Sequence, residues 1–200
     1  MDEQIIISIS REYGSAGHVI ASKVAEKLGI EVLGRNILEE IAGIKKVDTN
    51  NLSRYDEKPR SRFFSRRVRG MTNSPEENIA ELQFALLKSK AADGDSFIVV
   101  GRCADDLFHD YPNCINIFIY ADMESKIQRV IEKHEGIDRK QAMKKIATHD
   151  KKRAAYHDYF AKHGKWGVYS SYELCINASK LGIDGTADLI YKYIEAKRAK

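Results

Sequence analysis

The amino-acid sequence predicts an α/β fold in which helices cover both faces of a parallel sheet. Continuous apolar runs, of which residues 97–100 are the clearest, are typical of strands buried on both faces. Between these runs lie segments in which apolar residues recur every three or four positions, as they do in amphipathic helices. Strands that alternate with helices in this way are joined by helical crossovers, and they are therefore expected to be parallel.

The composition is that of a globular protein. The 200 residues are 43% hydrophobic and 31% charged, and they suffice for one domain with a buried sheet. A net charge of +4 suits an anionic ligand, but without a basic patch it makes nucleic acid an unlikely partner. The 3 cysteines lack C-x-x-C spacing, which indicates reduced thiols and a cytoplasmic location. Since no apolar run approaches about 18 residues, we expect neither membrane insertion nor secretion.

Residues 4–29 are the most informative stretch. An isoleucine-rich run stops at Ser10, and a helical pattern begins after a turn. The turn contains Gly14, Ser15, Ala16 and Gly17. A strand, a glycine-rich turn and a helix leave backbone N–H groups unpaired at the positive end of the helix dipole, where a phosphate can bind. The P-loop pattern G-x-x-x-x-G-K-[ST] is not met, because His18 and Val19 follow Gly17. These residues alone are equally compatible with an ordinary tight turn.

Two arginines follow predicted strands directly. Arg35 lies just beyond the apolar stretch 30–33, and Arg102 follows the buried run 97–100. Doubly wound folds bind ligands at the carboxyl ends of their strands. Arg102 therefore indicates an anion-binding role, whereas Arg35 fits either such a role or a solvated start of the next helix.

Residues 54–69 are unusually basic. The basic residues are Arg54, Lys58, Arg60, Arg62, Arg66, Arg67 and Arg69. Only Asp56 and Glu57 oppose them. The segment fits a mobile solvated stretch, a flap that closes over phosphates, or an RNA-binding stripe in which Phe63 and Phe64 stack on bases.

Capping signals predict two long helices in the second half of the chain. One runs from Pro75 to about Ala92, and the other begins after a capping box at Asp138 and continues to about Phe160. In the latter, Asp150, Arg153 and His157 share one face, either as salt-bridged surface residues or as part of an anion site. A helix between these two is expected to carry Lys126, Arg129 and Lys133 outward.

Several segments in order resemble the cytidylate kinase-like family, a branch of the P-loop nucleoside monophosphate kinases. They are ISISREYGSAG, VVGRCAD, IFIYAD, HDKKRAAYHDYF, KWG and YELCINASKLGIDG. The resemblance implies a three-layer P-loop fold with a five-stranded parallel sheet of order 2-3-1-4-5. It implies a single domain over residues 1–200, with an acceptor insertion at 45–73 and a helical lid at 138–170. The implied reaction moves the γ-phosphoryl group of ATP, with Mg²⁺, to CMP, dCMP or another small phosphate-bearing acceptor.

The resemblance also implies roles for particular residues. The donor phosphate loop corresponds to Gly14, Ser15, Ala16, Gly17 and His18. The acceptor's phosphate would be bound by Arg35 and Arg102, with Asp105 near the acceptor. The lid corresponds to 150–153, and the implied catalytic residues are Arg102, Asp150, Lys152 and Arg153.

The sequence departs from the family pattern around the phosphate loop. His18 and Val19 stand where a lysine and a hydroxyl residue are expected, so that Arg11 is a possible substitute cation. A hydroxyl for Mg²⁺ could come from Ser10 or Ser15, and no metal ligand is assigned.

Two other classes of function remain open from the sequence. One is a nucleotide-binding sensor or partner-binding module that has lost catalysis, and the other is RNA binding through residues 54–69. Zinc binding and Ser-His-Asp hydrolysis are unsupported, because neither H-E-x-x-H nor G-x-S-x-G is present.

Overall fold

The computed structural model describes residues 4–34, 36–45, 56–57, 67–68, 71–72 and 74–199. Its strands are β1 (Ile6–Arg11), β2 (Glu31–Leu33), β3 (Arg67–Val68), β4 (Met71–Thr72), β5 (Phe97–Val100), β6 (Cys114–Tyr120) and β7 (Leu174–Asn177). Its helices are α1 (Gly17–Leu28), α2 (Asn36–Lys45), α3 (Pro75–Ala92), α4 (Ala104–Leu107), α5 (Met123–Lys133), α6 (Arg139–Phe160) and α7 (Ala178–Arg198). A short 3₁₀ helix covers Tyr169–Ser171.

The central sheet has the order β2-β5-β1-β6-β7, and all its strand pairs are parallel. Counted along the chain without the small antiparallel pair β3–β4, this is the predicted order 2-3-1-4-5. The register sets Ser10 opposite Phe118, next to the end of β1. All carboxyl ends of the parallel strands therefore meet at one edge, which is where the site residues are found.

Alternation along β1 divides its side chains between two hydrophobic layers. Ile7 and Ile9 pack in a fully buried cluster with Val24 of α1 and Ile190 of α7. Ile6 faces the other side, in a cluster that includes residues of α2, α3 and α4. Each buried isoleucine contributes about 2 kcal/mol through the apolar surface it removes from water. The sheet is thus covered on both faces, as the continuous apolar runs predicted.

The two long helices begin at the predicted caps. At α3, the Ser74 hydroxyl accepts a hydrogen bond from the Glu77 N–H at 3.4 Å. At α6, the Asp138 carboxylate accepts from the Gln141 N–H at 2.7 Å, and the Gln141 side chain accepts from the Asp138 N–H at 2.8 Å. This is the reciprocal capping box, and it fixes where α6 begins.

The prediction that α5 carries its basic residues outward is wrong for Lys126 and Arg129. Lys126 is only 5% exposed, and its ammonium lies 2.8 Å from the Glu12 carboxylate. Arg129 donates a hydrogen bond to the Gly14 carbonyl at 3.1 Å. The helix packs the side that bears these two residues against the turn after β1, because ion pairing and hydrogen bonding there offset their removal from water.

Some predictions fall on residues outside the described ranges. Arg35 and most of the segment 45–73, including Phe63 and Phe64, are among them. Within the described ranges, Cys103 and Cys114 are buried thiols and Cys175 is an exposed one. Among the same residues, no helix combines the length and the hydrophobicity that crossing a bilayer requires.

Candidate active site

The turn after β1 has the geometry of an anion-binding loop. Gly14 and Ala16 are both in the left-handed region, with φ of 82° and 66°, and α1 starts at Gly17. The Ser15 hydroxyl donates to the Glu12 carbonyl at 2.9 Å, which closes the turn. The first N–H groups of α1 precede the first intrahelical bond, from Ile20 N–H to the Ala16 carbonyl, and they point toward the turn.

Close neighbours leave too little room for a side chain at either glycine of this loop. A Cβ at Gly14 would lie 3.0 Å from the Lys126 carbonyl oxygen, and one at Gly17 would lie 2.7 Å from the Arg11 Cβ. The loop is therefore flanked by a lysine from α5 and by the arginine that ends β1. His18 is exposed on the first turn of α1, and its ring lies beside Gly34.

Three arginines from distant segments line one cavity, and two of them contact the carboxylate of Glu57. Arg11 binds it through two hydrogen bonds of 3.0 and 3.3 Å, and the Arg153 Nε lies 3.8 Å from it. Arg153 also donates to the Arg11 carbonyl at 3.3 Å. Arg102 lines the same cavity as Arg11, Arg153 and Glu57, although its own ion pair is with Asp56. We call Arg11, Arg102, Arg153 and Glu57 the arginine cluster.

Arg102 itself is almost fully buried, with 2% of its side chain exposed. Its guanidinium forms an ion pair with Asp56 and donates to the Gly34 carbonyl at 3.1 Å. Gln83 of α3 also donates to Asp56, at 3.1 Å. The Nε of Arg102 and the hydroxyl of Tyr156 are buried without a hydrogen-bond partner in the part of the chain that the structure describes. The surroundings of Arg102 thus include two polar groups, its own Nε and the Tyr156 hydroxyl, whose hydrogen-bonding capacity is not used by the described residues.

The electrostatics of the cluster follow from this crowding. Burial acts to raise the pKa of Glu57, but Arg11, Arg102 and Arg153 outweigh it and hold the pKa at about 2. Burial, helped by the nearby Arg11, lowers the pKa of Arg153 to about 10. Glu57 and Arg153 are therefore charged near neutral pH.

Arg102 lies in a turn whose backbone conformation is strained. Gly101, Arg102 and Cys103 all have positive φ, at 81°, 62° and 53°. For the two residues that carry a Cβ this costs about 1–2 kcal/mol each. A Cβ at Gly101 would also collide with the Arg11 guanidinium and the Glu57 carboxylate, so that the ion pair rests directly on the glycine backbone.

Predicted residues of α6 have different surroundings. The Asp150 carboxylate accepts the Tyr13 N–H at 2.6 Å, beside the turn after β1, and Arg153 lies in the arginine cluster. Lys152 is exposed to solvent. Asp105, predicted near the acceptor, is buried and contacts the His157 Nε2 at 2.6 Å. The roles of these residues in catalysis remain predictions.

His157 holds α6 against the turn after β5. Its Nδ1 also lies 3.2 Å from Asp158, so the ring is placed between two carboxylates. Burial acts to lower the pKa of His157, but the hydrogen bonds and charges of Asp105 and Asp158 prevail, and the pKa is raised above 6.5. The imidazolium form is therefore favoured in the folded protein.

We expect the His157→Gln variant to be less stable than the wild type by about 2 kcal/mol at pH 6, where the ion pair is intact. Because the pKa of His157 is higher in the folded protein than in the unfolded chain, its protonation stabilises the fold. This stabilisation is complete below the unfolded-state pKa, and it is lost as the pH rises through the folded-state pKa. The difference between the two proteins, measured by urea unfolding, should therefore shrink between pH 6 and pH 9. A difference that stays constant over this range would contradict the ionic role of His157.

Sequence reasoning missed two features of the site. Asp56 and Glu57 were interpreted only as charges opposing a basic segment, and Lys126 was assigned to the surface. Their signals were weak: Asp56 and Glu57 are the only acids among the residues from 54 to 69, and Lys126 occupies the edge of an amphipathic pattern. Neither signal identifies a partner, because the main ion pairs join residues 46 positions apart for Asp56 and Glu57 and 114 positions apart for Lys126.

The order of the five parallel strands and the βα turn after the first of them are those of the P-loop fold. The fold is similar to that of shikimate kinase from Bacteroides thetaiotaomicron, with a TM-score of 0.58 over 96% of this chain and 98% of that one, at 13% identity. The cytidylate kinase-like family matches residues 6–180, and the chain belongs to this family. Family and fold together support a nucleotide kinase.

Two further relatives are similar to this protein over nearly the whole chain. The cytidylate kinase of Archaeoglobus fulgidus is 26% identical over 202 residues, which cover 97% of each chain. A crystal structure of an uncharacterized protein from Eubacterium ventriosum has a TM-score of 0.75 and 34% identity, covering 96% of this chain and 99% of that one.

Proposed function

We propose that the protein is a nucleoside monophosphate kinase that transfers the γ-phosphoryl group of ATP to CMP, dCMP or a similar phosphate-bearing acceptor. The observation that carries this proposal is the convergence of Arg11, Arg102 and Arg153 beside the turn after β1. These side chains come from the ends of two neighbouring strands and from a helix that follows them. A kinase needs cations from several segments on one cleft, because its transition state spreads negative charge over the moving phosphoryl group.

Different residues of the site would bind the donor and the acceptor. The N–H groups at the start of α1 bind the donor phosphates, and Lys126 and Arg129 supply positive charge beside Gly14. Both cations come from α5 and lie on the Gly14 side of the turn. Arg102, with the unpaired Nε noted above, binds the acceptor's phosphate, and Arg11 and Arg153 lie between the two substrates. Bidentate guanidinium groups suit the oxygens of a phosphoryl group well.

The residues beside the loop also fit a magnesium ion. Mg²⁺ prefers carboxylate and water oxygens, and the carboxylates of Glu12 and Asp150 both lie close to the loop. The Lys126 ammonium lies 2.8 Å from the first and 4.0 Å from the second, so it must move aside when the ion binds. Glu12 and Asp150 would hold the ion, directly or through water. When bound, it would neutralise charge on the phosphates of ATP and hold them in one geometry.

A second candidate function is a nucleotide-binding protein without catalysis. The presence of His18 and Val19 in place of the lysine and hydroxyl residue favours it. The buried Arg102 and Arg153 favour the kinase, because a passive binder has less use for guanidinium groups that engage a moving phosphoryl group.

One assay separates the two candidates. The purified protein is incubated with ATP and Mg²⁺ and with each nucleoside monophosphate in turn, and the diphosphates formed are measured. We expect CDP or dCDP to form fastest. Binding of ATP is measured by calorimetry. If ATP binds but no phosphoryl group is transferred to any acceptor, the second candidate is supported. Absence of both binding and transfer would overturn both.

A further inference from the structure

The Glu57 carboxylate occupies the position that a phosphate group would take in the arginine cluster. It accepts two hydrogen bonds from Arg11 and lies 3.8 Å from Arg153, and Arg102 also acts on it electrostatically. A carboxylate and a phosphate present similar oxygens to a guanidinium fork. The side chain is thus a ligand that the protein itself provides to its anion site.

Little room is left beside this carboxylate. The cavity enclosed by the cluster has a volume of about 10 Å³, close to the smallest space that holds one water molecule. A phosphate group is several times larger. A phosphate can therefore reach the same guanidinium edges only if the Glu57 side chain leaves them.

The backbone of Glu57 favours such a departure. Its φ is 47°, in the left-handed region that costs a residue with a Cβ about 1–2 kcal/mol. A departure in which the backbone of Glu57 also leaves this region regains part of the energy lost with the ion pairs. Asp56, by contrast, is held by Arg102 and Gln83, so that Arg102 keeps a carboxylate partner when Glu57 leaves.

We propose that Glu57 is an internal competitor of the acceptor's phosphate and sets the affinity that a ligand needs to occupy the arginine cluster. This inference rests on the proposed function in taking the cluster as a phosphate site. An internal competitor raises the dissociation constant of every anion by the same factor, which is the reciprocal of the fraction of protein in which the site is open. Phosphate monoesters, with a charge of about −2, gain most from three guanidinium groups and so overcome Glu57 at concentrations at which singly charged anions do not.

The test uses two small probes that differ in charge. Methyl phosphate is a dianion near neutral pH and dimethyl phosphate is a monoanion, and their binding can be followed by phosphorus NMR titration. In the Glu57→Gln variant, both dissociation constants should fall by about tenfold, and by the same factor within about twofold. Glu57→Asp, with a shorter side chain that reaches Arg11 less well, should fall between the wild type and Glu57→Gln.

A matched control is Glu124→Gln. Glu124 forms a similar bidentate pair with Arg139, at 2.5 and 2.8 Å, but on the exposed surface. This variant should bind both probes as the wild type does. Weaker or unchanged binding in Glu57→Gln would show that Glu57 only orients the arginines, and would overturn the inference.

The two proposals fail in different ways. The probes carry no nucleoside and the measurement needs no turnover, so a protein that does not phosphorylate CMP can still support the inference. If methyl phosphate binds neither the wild type nor the Glu57 variants, the phosphate site and the proposed function fail together. If it binds but Glu57→Gln does not tighten it, the internal competitor alone is wrong.

Discussion

Replacing Arg102 by alanine is expected to lower the rate of phosphoryl transfer by about 100-fold or more. The guanidinium is buried, and in the proposed function it binds the acceptor's phosphate from the strained turn after β5. Without it, the acceptor's phosphate loses a fixed positive partner in a site from which water is largely excluded. The kcat with ATP and the best acceptor from the panel, measured by diphosphate formation, checks this.

Two further variants keep the Arg102 prediction testable even if the alanine variant is unstable. Removal of Arg102 also leaves Asp56 without its ion pair, at a cost of about 3 kcal/mol, so folding is checked by circular dichroism. Arg102→Lys retains the charge but not the planar fork, and should remain folded with a clearly reduced kcat. Arg139→Ala removes an exposed arginine at the start of α6 and should leave kcat unchanged. Wild-type turnover in a folded Arg102→Lys or Arg102→Ala variant would exclude the role of Arg102.

Replacing Gly101 by alanine should disrupt the arginine cluster without removing any charge. The new methyl group would collide with the Arg11 guanidinium and the Glu57 carboxylate, and φ at this position is 81°. Arg11 must then move away from the cleft, and we expect turnover to fall by about 100-fold, since small displacements of positioning groups have effects of this size. Stability should fall by about 2 kcal/mol or more.

Gly94 provides the matched control for Gly101. Its φ is 86°, but nothing lies within 4 Å of an added Cβ. Gly94→Ala should therefore lose only the backbone contribution, about 1 kcal/mol of unfolding free energy, and keep full activity. If the two alanine variants lose the same activity, backbone strain and not the collision with the ion pair would be responsible.

Much of the fold was predictable because its signals are local. Continuous apolar runs specify buried strands, and the Asp138 and Ser74 caps specify where helices begin, through contacts between residues three positions apart. The candidate site was predictable in part, since an arginine that follows a buried strand must lie at the carboxyl edge of a parallel sheet. The prediction for Lys126 was wrong because an amphipathic pattern shows which side of a helix is apolar, but not which polar residue meets another element.

The sequence by itself determined the α/β class, the glycine turn after the first strand and the arginines available to the cleft. Only the tertiary structure decided that Arg11, Arg102 and Arg153 line one cavity with Glu57, and that Lys126 lies beside the turn after β1. The physical reason is that helix caps and strand patterns depend on neighbours in the chain, whereas the partner of a buried charge is chosen by the packing of distant segments. A buried charge must find an opposite charge, but its own surroundings in the sequence do not say which one.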